Sequence, residues 1–161
     1  MTVTTNHALL ALVDAGVWAV WSTLCGYGAH RIPGEYLARD NAVTRLRAFE
    51  RDGRVYERVL RIKRWKDLLP EAGALFRDGV SKRHIGGHDR EHLERFATAT
   101  RRAELAHYPI LAFGPVFFAF NPWWLALVMV GYAVVANVPC ILVQRYNRAR
   151  LVQVLNRRVP N

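Results

Sequence analysis

The chain has 161 residues, 23 Lys+Arg against 13 Asp+Glu, and 52% hydrophobic residues, which bounds it to one domain with a net charge of +10. Its mean hydropathy near zero would suit a soluble protein, but the average hides a segregation. Residues 31–107 hold 18 Lys/Arg and 12 Asp/Glu, residues 144–161 hold five Arg, and the other 66 residues hold one charge, Asp14, a pattern that excludes a soluble globular domain, a secreted disulfide scaffold and a disordered chain.

The first apolar run, residues 8–28, spans a hydrocarbon core of about 30 Å at roughly 1.5 Å per residue. No Lys or Arg precedes it, and Trp18, Trp21 and Tyr27 lengthen it beyond the apolar stretch of a signal peptide, so it reads as a retained transmembrane helix. Asp14 is its one charge, and a position near the outer interface is expected for it. Cys25 and Cys140 each lie in an apolar run, so no structural disulfide is expected.

Residues 31–103 form a basic cytoplasmic or interfacial segment between the first and second spans. Pro33 and Gly34 break the chain at its start. Over residues 55–69, Tyr56, Val59, Leu60, Ile62, Trp65, Leu68 and Leu69 alternate with Arg58, Arg61, Lys63, Arg64 and Lys66, which predicts an amphipathic helix on the membrane surface or packed on its neighbours, ended by Pro70. Gly86-Gly87 is a second break, and Asp89 is the expected N-cap of a helix starting near Arg90 and running into the second span, with Pro109 placed to kink it.

The second apolar block is divided by Asn121-Pro122, a turn followed by the interfacial pair Trp123-Trp124. The expected architecture is therefore all-α: an integral membrane protein, residues 1–161 forming a single membrane domain with three transmembrane helices at about 8–28, 104–120 and 123–143. All 23 Lys/Arg fall in residues 31–107 and 144–161, which predicts a multi-pass protein of the cell (inner) membrane with the N-terminus outside and the C-terminus cytoplasmic. Anionic lipid and phosphate-bearing substrates account for the basic charge, and no nucleic-acid partner is expected. Bundles this small often associate, so a homo-oligomer is a further expectation.

Glu104 and His107 share a helix face, a carboxylate within reach of an imidazole, an arrangement that serves a general base for a hydroxyl and equally an interfacial pair capping the buried end of a span. Counting from the turn, His107 lies 14 residues before Asn121 and Asn137 lies 15 after Pro122, so the hairpin brings the two level. Pro139 leaves the carbonyl of Val135 without its helical partner. Gln144, Arg145, Tyr146, Asn147 and Arg148 follow, a run whose arginines alone would suffice as a stop-transfer anchor. His84, His88 and His92 suggest a metal, but the glycine break disturbs their spacing, and no metal or other cofactor is expected.

Arg102-Ala-Glu-Leu-Ala-His107, Ala136-Asn-Val-Pro139 and Val143-Gln-Arg-Tyr-Asn-Arg148 with Arg150-Leu151 resemble the glycosyl-4,4'-diaponeurosporenoate acyltransferases, small membrane enzymes of staphyloxanthin-type carotenoid synthesis. Weaker agreement reaches back through Arg83-His84, Trp65-Lys66, Gly53, Phe49-Glu50, Tyr36 and Arg31-Ile-Pro33, while Tyr108 replaces a Trp of the family pattern. The resemblance implies transfer of a fatty acyl group to a sugar hydroxyl of a glycosylated carotenoid or other glycolipid. On the matched positions, His107 is expected as base, Glu104 as its orienter, and Asn137, with Gln144, as oxyanion or sugar contact. Arg102, Arg145 and Arg148 are expected to hold phosphates of an acyl-CoA or acyl-carrier donor, with Tyr146, Asn147 and His84 among the substrate contacts. Two other readings compete: a non-catalytic membrane scaffold for a lipid or carotenoid biosynthetic complex, and a metal-dependent membrane enzyme using His84, Glu104 and His107.

Overall fold

A computed structural model describes residues 7–50, 52–69 and 90–158, and every regular element among them is helical. His84, His88, Asp89, Pro70 and Gly86-Gly87 lie outside the described residues, as does the side chain of His92. The elements are α1 (His7–Arg31), α2 (Gly34–Ala38), α3 (Arg54–Arg58), α4 (Arg90–Phe113) and α5 (Trp123–Arg158), with short 3₁₀ turns at Ala48–Glu50, Ile62–Arg64 and Lys66–Leu68 and a longer 3₁₀ segment at Gly114–Ala119.

Two helices among the described residues, not three, are long and apolar enough to cross a membrane: His7–Arg31 and the stretch Trp123–Val154 of α5. The expected span at 104–120 is instead the last turns of the charged helix α4, followed by the 3₁₀ segment. Pro115 supplies the reason, since it has no N–H to continue an α-helical ladder and is favoured in the first turn of a new helix. This composite arm nevertheless runs alongside α1. Arg102 donates to the carbonyls of Ala29 and His30 at the C-terminal end of α1, and Asn121 donates to Asp14 near the other end at 2.9 Å. Asp14 is therefore fully buried within the protein, level with the hairpin turn.

The arm packs between α1 and α5 around Trp18, Ile110, Phe117, Ala126 and Ala133. Trp18 stacks on Phe117 at 5.1 Å, and Trp21 stacks on Phe113 at 4.6 Å while its indole N–H donates to the carbonyl of Pro109. A Cβ on Gly114 would lie 3.1 Å from the Cβ of Ala133, so this glycine permits a close approach of the arm to α5. Outside the core, α1 exposes Leu9, Leu12, Val20 and Leu24, and α5 exposes Leu127, Val128, Tyr132 and Val135.

The hairpin turn falls at Asn121-Pro122 as expected, but α5 does not stop at residue 143. It continues through Pro139 to Arg158, which carries the polar run 144–148 inward on one uninterrupted helix. The predicted amphipathic helix over 55–69 is broken. Only Arg54–Arg58 is α-helical, and Arg61 sits at φ 47°, a left-handed conformation that no straight helix accommodates. Tertiary burial overrides the periodicity there: Tyr56 and Ile62 pack against Val143 and Tyr146 of α5, and the Trp65 indole N–H donates to the carbonyl of Leu60. Gly53, at φ 69°, takes the chain into α3 under Tyr146 and Arg150.

Candidate active site

The charged centre of the molecule lies between α4, α5 and the segment 43–58. Glu104 on α4 has no exposed surface, and both its oxygens are engaged. Oε1 accepts from Tyr108 Oη at 2.7 Å and from Arg145 Nη1 at 2.5 Å, and Oε2 accepts from Arg148 Nη2 at 2.6 Å. Arg145 in turn forms a two-point pair with Glu50, Nε to Oε1 at 2.8 Å and Nη2 to Oε2 at 2.6 Å, and reaches the backbone carbonyls of Val43 and Arg45. Arg148 Nη2 also donates to the carbonyl of Thr44. Two carboxylates and two guanidinium groups thus neutralise one another out of water, the condition under which buried charge is tolerated.

Glu50 is the outer carboxylate of this network. Burial opposes its ionisation, but hydrogen bonds from Arg145, from the Tyr56 hydroxyl and from the backbone N–H of Arg47 prevail and bring its pKa down to about 2. Burial, with the adjacent Glu50 carboxylate, pushes the Tyr56 phenol well above its ordinary value. Neither Glu50 nor Tyr56 figured as a site residue in the sequence reading, although Phe49-Glu50 lay among the weaker matches.

His107 lies one turn beyond Glu104 on α4, and its ring is half-buried. Its Nδ1 lies 2.9 Å from Asn137 Oδ1, so counting from the turn correctly placed the two residues level. Asn137 Nδ2 donates to the carbonyl of Ala133 at 2.9 Å, which fixes the amide with its oxygen towards the ring. An oxygen there can only accept, so Nδ1 carries a proton, an assignment that follows from the hydrogen bonding. Glu104 meanwhile accepts from Tyr108, Arg145 and Arg148, and the contact at His107 Nδ1 is with Asn137.

The other expected contacts divide. Arg102 caps the C-terminal carbonyls of α1, a favourable place for a cation at the negative end of a helix dipole. Arg145 and Arg148 face buried carboxylates rather than an open anion site. Tyr146 is buried, its hydroxyl on Glu57 at 2.8 Å, while Asn147 is half-buried. Gln144 is buried on the same face of α5 as Arg148, with no hydrogen-bond partner for Oε1 among the described residues. No group of three His, Cys, Asp or Glu side chains among the described residues is placed to hold a metal ion.

Residues 39–157 match the family model described as glycosyl-4,4'-diaponeurosporenoate acyltransferase. Among curated proteins, the chain is similar to the glycosyl-4,4'-diaponeurosporenoate acyltransferases of Staphylococcus aureus strains bovine RF122 / ET3-1 and MRSA252, each 32% identical over 125 residues, covering 78% of this chain and 75% of the relative. The enzyme of that name from strain USA300 is 31% identical over the same shares. No solved structure matches the chain.

Proposed function

The chain belongs to the glycosyl-4,4'-diaponeurosporenoate acyltransferase family, and from that premise we propose that it moves a fatty acyl group from a thioester donor to a sugar hydroxyl of a glycosylated carotenoid or similar glycolipid, with His107 as general base. The observation that carries this reading is the hydrogen bond between His107 Nδ1 and Asn137 Oδ1 on a half-buried ring. With Nδ1 as the donor to Asn137, Nε2 is the atom assigned here to take the proton, as a general base requires. Nε2 takes the proton of the attacking hydroxyl, the sugar oxygen bonds to the acyl carbon, and the tetrahedral intermediate collapses as the leaving thiolate receives the proton from His107. The second N–H of the Asn137 carboxamide is assigned to the oxyanion. Glu104 acts as a positioning residue, holding Arg145 and Arg148 of α5 against α4 so that Asn137 stays in register with His107.

The membrane supplies the setting. α1 and α5 cross, the arm between them returns the chain to the outer side, and the basic segment and C-terminus face the cytoplasm, where an acyl-CoA or acyl-carrier donor is available. The exposed Leu and Val side chains of both helices support this, since such a surface is costly in water and ordinary in lipid.

The test is lipid mass spectrometry on membranes of cells supplying glycosylated carotenoid and expressing wild type, His107→Ala or neither. A glycolipid heavier by one fatty acyl group with wild type alone is the expected result. Its appearance with His107→Ala rejects His107 as base, and its absence with wild type rejects the transfer.

A further inference from the structure

The segment 54–69 buries one set of apolar side chains against α5 and shows another. Tyr56 and Ile62, flanked by Trp65 and Leu69, pack on Leu142, Val143 and Tyr146. Val59 and Leu68 are left 72% and 82% exposed, and Leu60 is exposed beside Val59. Their depth is set by α5. Leu142 lies 19 residues after Trp123 on that helix, about 28 Å at roughly 1.5 Å per residue, against a hydrocarbon core of about 30 Å. Side chains beside Leu142 therefore sit where lipid tails give way to head groups, a level at which apolar groups reach into the tails and cations reach phosphates.

The charges at this level are unbalanced. Glu57 pairs with Lys63 at 2.9 Å, Asp67 with Lys66 at 2.7 Å and Asp52 with Arg54 at 3.4 Å, while Glu50 is held by Arg145. Arg58, Arg61 and Arg64 are exposed and enter no ion pair among the described residues. Three unmatched cations interleaved with exposed Val and Leu fit a surface of anionic phosphates laid over hydrocarbon. An acidic protein would match the charge, but the apolar side chains already stand at the level of the lipid.

We propose that Arg58, Arg61 and Arg64, with Val59 and Leu68 as apolar anchors, form a binding surface for anionic phospholipid of the cytoplasmic leaflet. The proposal rests on the placement of α5 across the membrane and is independent of acyl transfer. It is tested on the full chain in phosphatidylcholine nanodiscs, with Cys25→Ala and Cys140→Ala leaving one added cysteine for a bimane label. The label is placed at Val59→Cys on the proposed surface or at Val135→Cys, a position 74% exposed within the membrane stretch of α5. Brominated phosphatidylglycerol or brominated phosphatidylcholine is then mixed into the nanodisc, and quenching of the label reports which lipid lies against it.

Both lipids are expected to quench the Val135 label alike. The Val59 label is expected to be quenched by phosphatidylglycerol at a lower mole fraction than by phosphatidylcholine, each arginine contributing up to about fivefold to that preference. The triple variant Arg58→Gln/Arg61→Gln/Arg64→Gln is expected to lose the preference while keeping its unfolding temperature in pure phosphatidylcholine, since the three side chains are exposed. A Val59 label quenched equally by both lipids, or by neither, overturns the surface, and quenching at Val135 then leaves the membrane placement standing. A preference that survives the triple variant overturns the assignment to these arginines. An acidic acyl-carrier protein that shields the Val59 label from both lipids reassigns the patch to a protein partner. A Val135 label that neither lipid quenches refutes the membrane placement, and the proposal with it.

Discussion

Removing the carboxylate of Glu104 tests whether charge balance holds the two long helices together. Glu104→Ala leaves Arg145 with Glu50 but strips Arg148 of its one carboxylate among the described residues, in a side chain with no exposed surface. Breaking a buried pair from one side costs about 3–5 kcal/mol, because the surviving charge is left uncompensated. For a chain of this size that corresponds to about 6–20 °C in unfolding temperature. Fluorescence-detected size exclusion after graded heating, on detergent-solubilised protein, reads the shift. The decisive comparison is the double variant Glu104→Ala/Arg148→Met, which leaves Glu50 and Arg145 as a self-sufficient pair. It should be more stable than Glu104→Ala alone, with a coupling energy within the range of about 0.5–3 kcal/mol measured for contacting residues. A single variant shifted by less than about 2 °C, equivalent to no more than about 1 kcal/mol, would refute the reasoning. So would a double variant no better than the single one.

Stability should also respond to acid through Glu50. Its carboxyl titrates at about 2 when folded, below the ordinary value of 4.5, so its contribution is complete above about pH 5 and is lost as pH falls towards 2. Unfolding temperatures measured from pH 7 to 3 should drop at the acid end in wild type and drop less in Glu50→Gln, which starts lower; parallel profiles would contradict this. Asn137→Leu should reduce turnover by about 10²–10⁴-fold, the range of general-base catalysis, while the protein remains folded; activity within threefold of wild type would remove Asn137 from the mechanism. Tyr108→Phe deletes one of three donors to Glu104 and should destabilise by about 1 kcal/mol in the same heating assay. Gly114→Val should cost about 1–3 kcal/mol, since its side chain would overlap Ala133 of α5, and an unchanged unfolding temperature would show that the arm yields.

The readable parts of this molecule were those governed by distance along a helix. The turn at Asn121-Pro122 fixed how far each arm extends, and that count alone brought His107 beside Asn137. What failed was partner choice. Spacing made Glu104 a neighbour of His107, but two arginines arriving from another helix outcompete an imidazole for a buried carboxylate, and sequence separation of 41 and 44 residues carries no local trace of it. That these arginines are buried against carboxylates was equally hidden, because a charge run does not reveal whether its face is buried. Residues 55–69 misled for a related reason: their alternation suits a helix, yet Tyr56 and Ile62 are drawn onto α5, and the chain turns at Arg61 to allow it.

The hydrogen bond from Asn121 to Asp14 joins residues 107 apart in the chain. During synthesis at roughly 5–20 residues per second, Asp14 is made about 5–20 s before its partner. For that interval α1 carries an unsatisfied carboxylate that apolar surroundings reject. The contact can form only once the hairpin turn has been made, so the first helix and the turn are tied by a bond that no local stretch of chain supplies.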